Sequence, residues 1–302
     1  MQVLQRIEYI REVPSVVTSE KRPPLPFFLR AMQLGFWITG QLFPRLAARL
    51  AFKLFSTPRI RAQHKASDEV METARIFEFM YMGRLLKAYE WGRGDKVVLL
   101  VHGWESRGTA LRSFVPDLLA QGYRVVAFDG PAHGNSGGKR TDLGHFGGAI
   151  RAIINHLGGV YGIVAHSFGG SSTVFALSKL DTSIALQRLV LIASPADMQK
   201  IVTDFFELVH LPMRARHHFL QRVERRIGFP PAATNFAHSH PDLNVSEVLV
   251  IHDEEDPVVP ISSSHAILQH WDNARLLISR GLGHYRLMKH AAVIKRVVSF
   301  MN

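Results

Sequence analysis

Apolar and amphipathic segments alternate along the chain from about residue 75 onward. Continuous apolar runs, typical of strands buried on both faces of a sheet, occupy residues 96–101, 123–128, 161–165, 189–193, 248–252 and 275–279. Apolar residues at helical spacing separate these runs, at 109–121, 143–156, 171–180, 263–270 and from about 291. Two shorter strands are predicted ahead of the series, at 76–79 and 85–91. The alternation predicts an α/β fold with a mostly parallel sheet flanked by helices.

The alternation is interrupted by an insertion between residues 196 and 245. An apolar helix stripe begins at Met198 and is stopped by Pro212, and an arginine-rich stretch then continues to Arg226. The chain is therefore predicted to begin with an N-terminal segment, residues 1–70. A core follows in two parts, residues 71–195 and 246–302, and a helical insertion, residues 196–245, separates them.

The N-terminal segment is predicted to contain a basic amphipathic helix that begins at Pro44. Its apolar positions form one arc, Leu46, Leu50 and Leu54 aligned with Ala47, Ala51 and Phe55. Its cations form a separate stripe, Arg45, Arg49 and Lys53. Two interpretations compete. The apolar arc packs against the main domain, as in most amphipathic helices, or the helix lies on an anionic membrane surface. The second interpretation rests on the absence of acidic residues from position 26 to 67, and it predicts peripheral membrane contact through residues 26–66.

Composition excludes several classes of protein. With 302 residues, 47% hydrophobic and 20% charged, the chain is predicted to fold around a sizeable core, and disorder, collagen and coiled coil are excluded. The absence of cysteine excludes disulfides, thiolate metal sites and a cysteine nucleophile. The run 27–43 is interrupted by Arg30, Gln33 and Gln41, so a membrane-spanning helix is not predicted. No signal-peptide pattern opens the sequence, and we expect a cytoplasmic protein, in the second interpretation peripheral at the inner face of a membrane.

The net charge of +11 is concentrated near the N-terminus. Residues 1–65 hold eleven of the 36 Lys and Arg but three of the 25 acidic residues. Because the body of the chain is nearly balanced, the charge does not predict a nucleic-acid surface, and we expect no nucleic-acid partner.

Two serines are candidates for a nucleophile. The literal G-x-S-x-G pattern, at residues 134–138, centres on Ser136, but polar loop residues flank it on both sides. Ser167 instead follows the predicted strand 161–165 and precedes a predicted helix. A nucleophile elbow needs this strand–serine–helix order, so Ser167 is the stronger candidate.

Other reactive side chains also follow predicted strands. The strand 96–101 ends at a turn containing Trp104, whose backbone N–H and that of Phe168 are candidates for stabilising an oxyanion. Four acidic residues follow 248–252, from Asp253 to Asp256, and His284 follows the strand 275–279. The carboxyl ends of parallel strands bind ligands in open sheets, so serine, acid and histidine are expected at one edge.

These blocks resemble the α/β-hydrolase family, over roughly residues 75–302. The matching residues are His102-Gly103-Trp104, Asp129 to Ser136, Ala165 to Gly170, Asp256 to Pro260 and Gly283-His284. The resemblance implies Ser167 as nucleophile, His284 as general base and acid, Asp256 as its orienting acid, backbone donors at Trp104 and Phe168, and a helical cap at 196–245. Asp256 is chosen for the spacing of the following Pro257 to Pro260, with Glu255 second, whereas Asp129 resembles a structural loop residue.

The predicted function is a serine hydrolase of carboxylic esters that needs no cofactor. Aromatic and aliphatic residues of the cap favour a small to medium apolar acyl ester: Phe205, Phe206, Leu208, Met213, Phe219 and Phe229. A thioesterase, a lactonase, a peptidase and a non-catalytic binder of a hydrophobic ligand remain as alternatives. The histidine pairs 217–218 and 238–240 lack the spacing and the carboxylates of a metal site, so no metal is expected.

Overall fold

A computed structural model of the chain describes residues 4–10, 27–62, 69–180, 185–228, 230, 233–238 and 243–302. The chain divides into two compact units. The sheet unit takes its described residues from Met1–Ser15, Pro58–Ala196 and Phe236–Asn302, and the helical unit takes them from Val16–Thr57 and Asp197–Asn235.

The sheet unit is built on one nine-stranded sheet among the described residues. Its strands are β1 (Ile7–Tyr9), β2 (Arg75–Tyr81), β3 (Arg84–Trp91), β4 (Val97–Val101), β5 (Arg124–Phe128), β6 (Gly162–His166), β7 (Leu186–Ile192), β8 (Val245–Asp253) and β9 (Ala274–Ser279). They are ordered β1-β9-β8-β7-β6-β4-β5-β3-β2. All neighbours from β1 to β5 are parallel, and β3 and β2 complete the sheet as an antiparallel hairpin. The predicted α/β fold is confirmed.

The helices fall into two groups. They are α1 (Phe27–Leu42), α2 (Pro44–Phe55), α3 (Glu69–Glu72), α4 (Val115–Ala120), α5 (Leu143–His156), α6 (Phe168–Leu177), α7 (Met198–Val209), α8 (Met213–Ile227), α9 (Ser262–His270), α10 (Gly283–Arg286) and α11 (Ala291–Met301). Short 3₁₀ turns occupy Leu4–Arg6, Gly108–Phe114, Phe236–His238 and Leu287–Lys289. Helices α1, α2, α7 and α8 belong to the helical unit, and the others belong to the sheet unit.

The centre of the sheet lies at β4 and β6. Every residue of both strands is buried, as their unbroken apolar sequences predict for strands covered on both faces. The chain runs from β4 to β5 on one side and returns to β6 on the other side of β4. Such a change of direction leaves a crevice at the carboxyl ends of the two strands, where open α/β sheets bind ligands.

The first described residues form an edge strand. Strand β1 pairs in parallel with β9, with Ile7 opposite Leu276. The guanidinium group of Arg6 donates hydrogen bonds to the carbonyl oxygens of Trp271, at 2.6 Å, and Leu268, at 2.7 Å. The structure therefore differs from the single helical segment expected for residues 1–70. A strand of three residues is too short for its periodicity to be seen in the sequence.

The N-terminal helices and the insertion share one apolar core. The buried residues of α2 in this core are Ala47, Ala48, Ala51 and Phe52. Helices α7 and α8 and the turn between them contribute Val202, Phe206, Val209, Leu211, Ala215 and Phe219. The Phe52 and Phe219 ring centroids lie 5.6 Å apart, and those of Phe206 and Phe219 lie 5.0 Å apart. The helical unit is thus assembled from two distant stretches of chain, which the sequence-based division had treated as separate segments.

The structure buries only part of the predicted apolar arc of α2. Ala47 and Ala51 of that arc are buried together with Ala48 and Phe52, whereas Leu46 and Leu50 are exposed. Small side chains allow neighbouring helices to approach closely, which accounts for alanines on the inner face. The aromatic residues taken as a sign of an apolar substrate have a different role in the structure, since Phe206 and Phe219 are buried in the core of the helical unit itself. Phe229 lies outside the described residues.

Candidate active site

Ser167 occupies the sharp turn between β6 and α6. Its backbone has φ of +54° and ψ of −128°, a conformation that a non-glycine residue rarely adopts. The turn requires small neighbours: a Cβ on Gly169 would overlap the carbonyl of His102, and a Cβ on Gly170 would overlap the Ser194 side chain. The close packing around these glycines therefore maintains the strained backbone of Ser167 and holds its hydroxyl at the end of the buried strand β6.

His284 connects Ser167 to Asp256. The Nε2 atom of His284 lies 2.9 Å from Ser167 Oγ, and its Nδ1 atom lies 2.7 Å from Asp256 Oδ2. Ser167 and His284 are both buried within the chain. The structure thus brings together the hydroxyl, the imidazole and the carboxylate that were selected from the sequence. The arrangement can accept the serine proton on the imidazole while the carboxylate fixes the ring orientation.

Asp256 lies in the loop after β8, and its side chain is fully buried. Its Oδ1 atom accepts hydrogen bonds from the backbone N–H groups of Val258, at 2.7 Å, and Val259, at 2.9 Å. Burial acts to raise the pKa of Asp256, but the hydrogen bond with His284 and the two backbone donors outweigh it and lower the pKa below its ordinary value. The carboxylate is therefore held ionised beside the imidazole.

Asp253 supports the loop that carries His284. It is fully buried, and its Oδ2 atom accepts hydrogen bonds from Ser279 Oγ, at 2.6 Å, and from the Leu282 backbone N–H, at 2.8 Å. Leu282 precedes His284 by two residues. Asp253 thus ties the end of β8 to the loop after β9, a positioning role that its place in the acidic run did not reveal.

The other two acidic candidates, Glu255 and Asp129, contact residues other than His284. Glu255 pairs with Arg280, with Oε1 2.9 Å from Nε. Asp129 is buried, and its carboxylate accepts hydrogen bonds from the backbone N–H groups of Gly108 and Asn135 and from the hydroxyl of Tyr89. The structure therefore joins Asp256, and neither Glu255 nor Asp129, to the His284 ring.

Ser136, the centre of the literal motif, is buried in a loop and fully hydrogen bonded. Its Oγ atom donates to the Asp129 carbonyl at 2.6 Å and accepts from the Lys87 backbone N–H at 2.9 Å. A serine hydroxyl held by two backbone partners stabilises a loop. The literal pattern therefore marks a structural serine.

The turn after β4 lies against Ser167. A Cβ on Gly103 would lie only 3.1 Å from Ser167 Cβ, and the rings of Trp104 and Phe168 meet edge to face at 5.3 Å. In the part of the chain that the structure describes, neither the Trp104 nor the Phe168 backbone N–H donates to a backbone acceptor. Phe168 directly follows Ser167 and Trp104 directly follows Gly103, so both N–H groups belong to the turns that meet at the Ser167 side chain.

Two histidines hold this turn in place. The Nε2 atom of His133 accepts the Glu105 backbone N–H at 3.0 Å, and Nε2 of His102 accepts the Gly130 N–H at 2.9 Å. Burial lowers the pKa of His133 to about 3, so its ring stays neutral and keeps an acceptor nitrogen.

His166 supports the loop that carries His284. Its Nε2–H donates to the backbone carbonyl of His284 at 2.9 Å, and the two rings lie 4.7 Å apart. Burial lowers the pKa of His166 to about 3, so the ring remains neutral. Its position directly before Ser167 was the available signal, but its partner depends on how the loop after β9 folds.

The expectation that no metal is bound concerns the histidine and acidic side chains of the described residues. Among them no group of three or more histidine and acidic side chains is arranged to hold a metal ion. His217 and His218 lie on α8, whereas residues 239 and 240 of the second histidine pair fall outside the described ranges.

Comparison with known proteins agrees with this fold. Residues 98–296 match the model of a family described as the alpha/beta hydrolase family. No curated protein sequence matches the chain. An esterase from Pyrococcus furiosus is 19% identical with a TM-score of 0.60, and the alignment covers 82% of this chain and 96% of the esterase. A Butyrivibrio proteoclasticus protein with bound ferulic acid is 21% identical with a TM-score of 0.59, and the alignment covers 74% of this chain and 97% of that protein. A meta-cleavage product hydrolase from Pseudomonas fluorescens is 22% identical with a TM-score of 0.55, and the alignment covers 75% of this chain and 97% of that hydrolase.

Proposed function

Because the chain belongs to the alpha/beta hydrolase family, we propose that it hydrolyses carboxylic esters through an acyl-enzyme formed on Ser167. The observation that carries the proposal is the continuous set of hydrogen bonds from Ser167 Oγ through His284 to Asp256, at 2.9 and 2.7 Å. A serine hydroxyl becomes a nucleophile when a base within hydrogen-bond reach takes its proton and a third group orients that base.

The proposed reaction has two halves. Ser167 Oγ attacks the ester carbonyl as His284 Nε2 takes its proton, and the oxyanion is stabilised by the Trp104 and Phe168 backbone N–H groups. Collapse of this intermediate breaks the carbonyl–alkoxy bond, and His284 gives its proton to the departing alkoxide. Water then attacks the acyl-enzyme, His284 takes the water proton, and the acid leaves as His284 returns that proton to Ser167 Oγ. No cofactor enters these steps.

The surroundings of Ser167 favour an apolar acyl group. Trp104 and Phe168 flank the hydroxyl, and Val258 and Tyr285 are exposed beside Asp256 and His284. These side chains offer apolar surface to a substrate bound at Ser167. We therefore retain a small to medium apolar acyl ester as the proposed substrate, on the basis of these residues and not of the aromatic residues of the insertion.

The proposal is tested by replacing Ser167. We expect Ser167→Ala to lower kcat/KM for p-nitrophenyl esters by about 10,000-fold or more, because the attacking atom is lost. Ser136→Ala is the matched control, since it removes the serine of the literal motif, and it should keep turnover and be modified by a fluorophosphonate at Ser167. Ordinary turnover by a folded Ser167→Ala variant would refute the assignment.

The choice of acid is tested by a second pair of variants. Asp256→Asn should lower kcat by about 1,000-fold or more, because an amide stabilises the imidazolium poorly. Glu255→Gln should stay within a few-fold of the parent, since Glu255 contacts Arg280. Equal losses in the two variants would contradict the assignment of Asp256.

Two further outcomes separate the alternatives. A folded protein that a fluorophosphonate does not label at Ser167 is a ligand-binding member of the family and refutes hydrolysis. Labelling with turnover of thioesters, lactones or peptides and none of simple esters would keep the nucleophile and refute the ester as substrate.

A further inference from the structure

Helix α1 has an apolar face on each side. Its inner face contributes Phe36, with Met32, to the core of the helical unit. Its outer face carries residues spaced by four and three positions, which fall on one stripe of a helix: Phe27, Ala31, Leu34, Ile38 and Leu42. The four large side chains of this outer stripe are between 42% and 86% exposed. Burial in the helical unit therefore explains only one of the two faces.

The exposed apolar surface continues beyond the outer stripe. Trp37 on α1 is 52% exposed, and Phe43, the single residue between α1 and α2, is 61% exposed. Leu46 and Leu50 extend the surface along the outer side of α2. Folded water-soluble domains rarely expose so many adjacent large apolar side chains, and such patches mark interaction surfaces.

Uncompensated positive charge surrounds this surface. No Asp or Glu occurs between residues 26 and 67, and Arg30, Arg45, Arg49 and Lys53 are exposed. Within the described ranges none of these four cations pairs with a carboxylate. A cavity of about 360 Å³ on the same unit adds further cations, since its lining is Arg45, Ala48, His218, Gln221, Arg222 and Arg225.

We propose that α1 and α2 lie on an anionic phospholipid surface, with the outer stripe of α1 inserted among the head groups. Aromatic and aliphatic side chains on one face, flanked by Lys and Arg, are the composition of helices that lie in the membrane interface. No helix among the described residues is long and apolar enough to span a bilayer, so the helices bind along the surface. The cations contact lipid phosphates, and Trp37 lies at head-group depth.

Charge favours a bilayer over a second copy of the chain. A symmetric dimer places the same patch on both sides of its interface. Two copies of α1 and α2 would therefore bring Arg49 and Lys53 of each close to those of the other, with no carboxylate between 26 and 67 to compensate. An anionic lipid surface offers apolar volume and negative charge together.

The test is sedimentation of the full-length protein with vesicles. Vesicles of phosphatidylcholine and phosphatidylglycerol should carry the protein into the pellet, and phosphatidylcholine alone should bind it about 10-fold more weakly. Added salt should weaken binding to the anionic vesicles, because it screens the arginines and lysine. Equal binding to both vesicle types, or none to either, would refute the proposal. Hydrolysis is not measured, so the outcome is independent of the proposed function.

Paired variants locate the contact. The double variant Leu34→Glu with Ile38→Glu should lower vesicle affinity by about 10-fold or more, because charged side chains do not enter the interface. Its control is Met80→Glu with Leu85→Glu, which changes two exposed apolar residues of the β2–β3 hairpin and should bind as the parent does. Arg49→Gln with Lys53→Gln should bind anionic vesicles more weakly and show a smaller salt dependence than the parent.

Trp37 reports insertion directly. Brominated phospholipid in the vesicles should quench tryptophan fluorescence in the parent and much less in Trp37→Phe, because Trp91 and Trp271 are buried and Trp104 lies in the turn beside Ser167, outside α1 and α2. Unchanged vesicle binding by Leu34→Glu with Ile38→Glu would overturn the proposal. A dimer seen by analytical ultracentrifugation that this variant dissociates, without vesicle binding by the parent, would overturn it in favour of a second copy.

Discussion

Buried neutral histidines fix the loops around Ser167. His166 donates from Nε2 to the His284 carbonyl, and His133 accepts the Glu105 N–H at its own Nε2. Each bond requires one particular ring tautomer, and burial maintains it by lowering the pKa of both histidines to about 3. These rings act through hydrogen-bond geometry, whereas the proposed proton transfers belong to His284 alone.

This burial has a consequence for stability against pH. In the unfolded chain His166 binds a proton as pH falls below about 6.5, but in the folded chain it does so only near pH 3. The unfolded state therefore gains protons first, and the free energy of unfolding falls as pH decreases from about 6.5 towards 3. We expect His166→Gln, which keeps an N–H donor, to reduce that slope by about 1.4 kcal/mol per pH unit.

Urea unfolding between pH 8 and pH 5, followed by fluorescence of the buried Trp91 and Trp271, measures this slope. His270→Gln is the control, because it makes the same substitution at an exposed position. A His166→Gln variant whose unfolding free energy runs parallel to that of the parent over this range would contradict the prediction.

Sequence reasoning identified the residues of the proposed site, but not the hydrogen-bond partners of the residues that support it. Ser167, Asp256 and His284 each follow a recognisable strand, so the strand ends alone place them at one edge of the sheet. Asp253 and His166 also follow or end strands, but their roles depend on which loop atoms come within hydrogen-bond distance. That information exists only after the β8 and β9 loops have folded together.

At the scale of elements, two glycines of α1 make a matched pair. Both are helical, yet a Cβ on Gly35 would meet nothing within 4 Å, whereas a Cβ on Gly40 would lie 2.5 Å from the Pro212 ring. Gly35→Ala should stabilise the protein by about 1 kcal/mol through helix propensity. Gly40→Ala should destabilise it by about 1–3 kcal/mol, because the ring or the helix must move.

Thermal unfolding followed by circular dichroism checks both glycine variants. Opposite shifts of the midpoint are expected. A higher midpoint in both variants would contradict the prediction, because it would show that the Pro212 ring moves aside for the Gly40→Ala methyl group without a net cost.

Elements were predictable in proportion to their length and periodicity. The buried strands β4 and β6 have unbroken apolar runs, so their sequences indicate their position. Strand β1 has three residues and no period. For α2 the sequence distinguishes apolar from basic positions, but the buried face is decided by the neighbouring α8, against which alanines pack more closely than Leu46 and Leu50.

At the scale of the whole molecule, the helical unit joins the N-terminal helices to the insertion. Phe52 on α2 and Phe219 on α8 are buried against each other, with ring centroids 5.6 Å apart. If the two stretches fold as one unit, Phe52→Leu and Phe219→Leu should be coupled by about 0.5–1.5 kcal/mol in a double-mutant cycle. Chemical denaturation of the parent, the two single variants and the double variant measures this energy, and additive effects would contradict a shared core.

The pairing of these stretches could not be predicted from the sequence. Each is amphipathic with an apolar face, and an apolar face does not specify which partner covers it. The insertion after β7 was visible as an interruption of the alternation, but the sequence contains no marker that joins it to residues 27–55.

The pairing of β1 with β9 also has a kinetic meaning. In this pairing Ile7 lies opposite Leu276. Contacts between residues so far apart in the sequence form slowly, because chain entropy is lost before the hydrogen bonds form. A ribosome makes β1 before it makes β9, so β1 has no β9 to pair with while the residues between the two strands are being synthesised. Strand β1 therefore joins the native sheet only after β9 has been made.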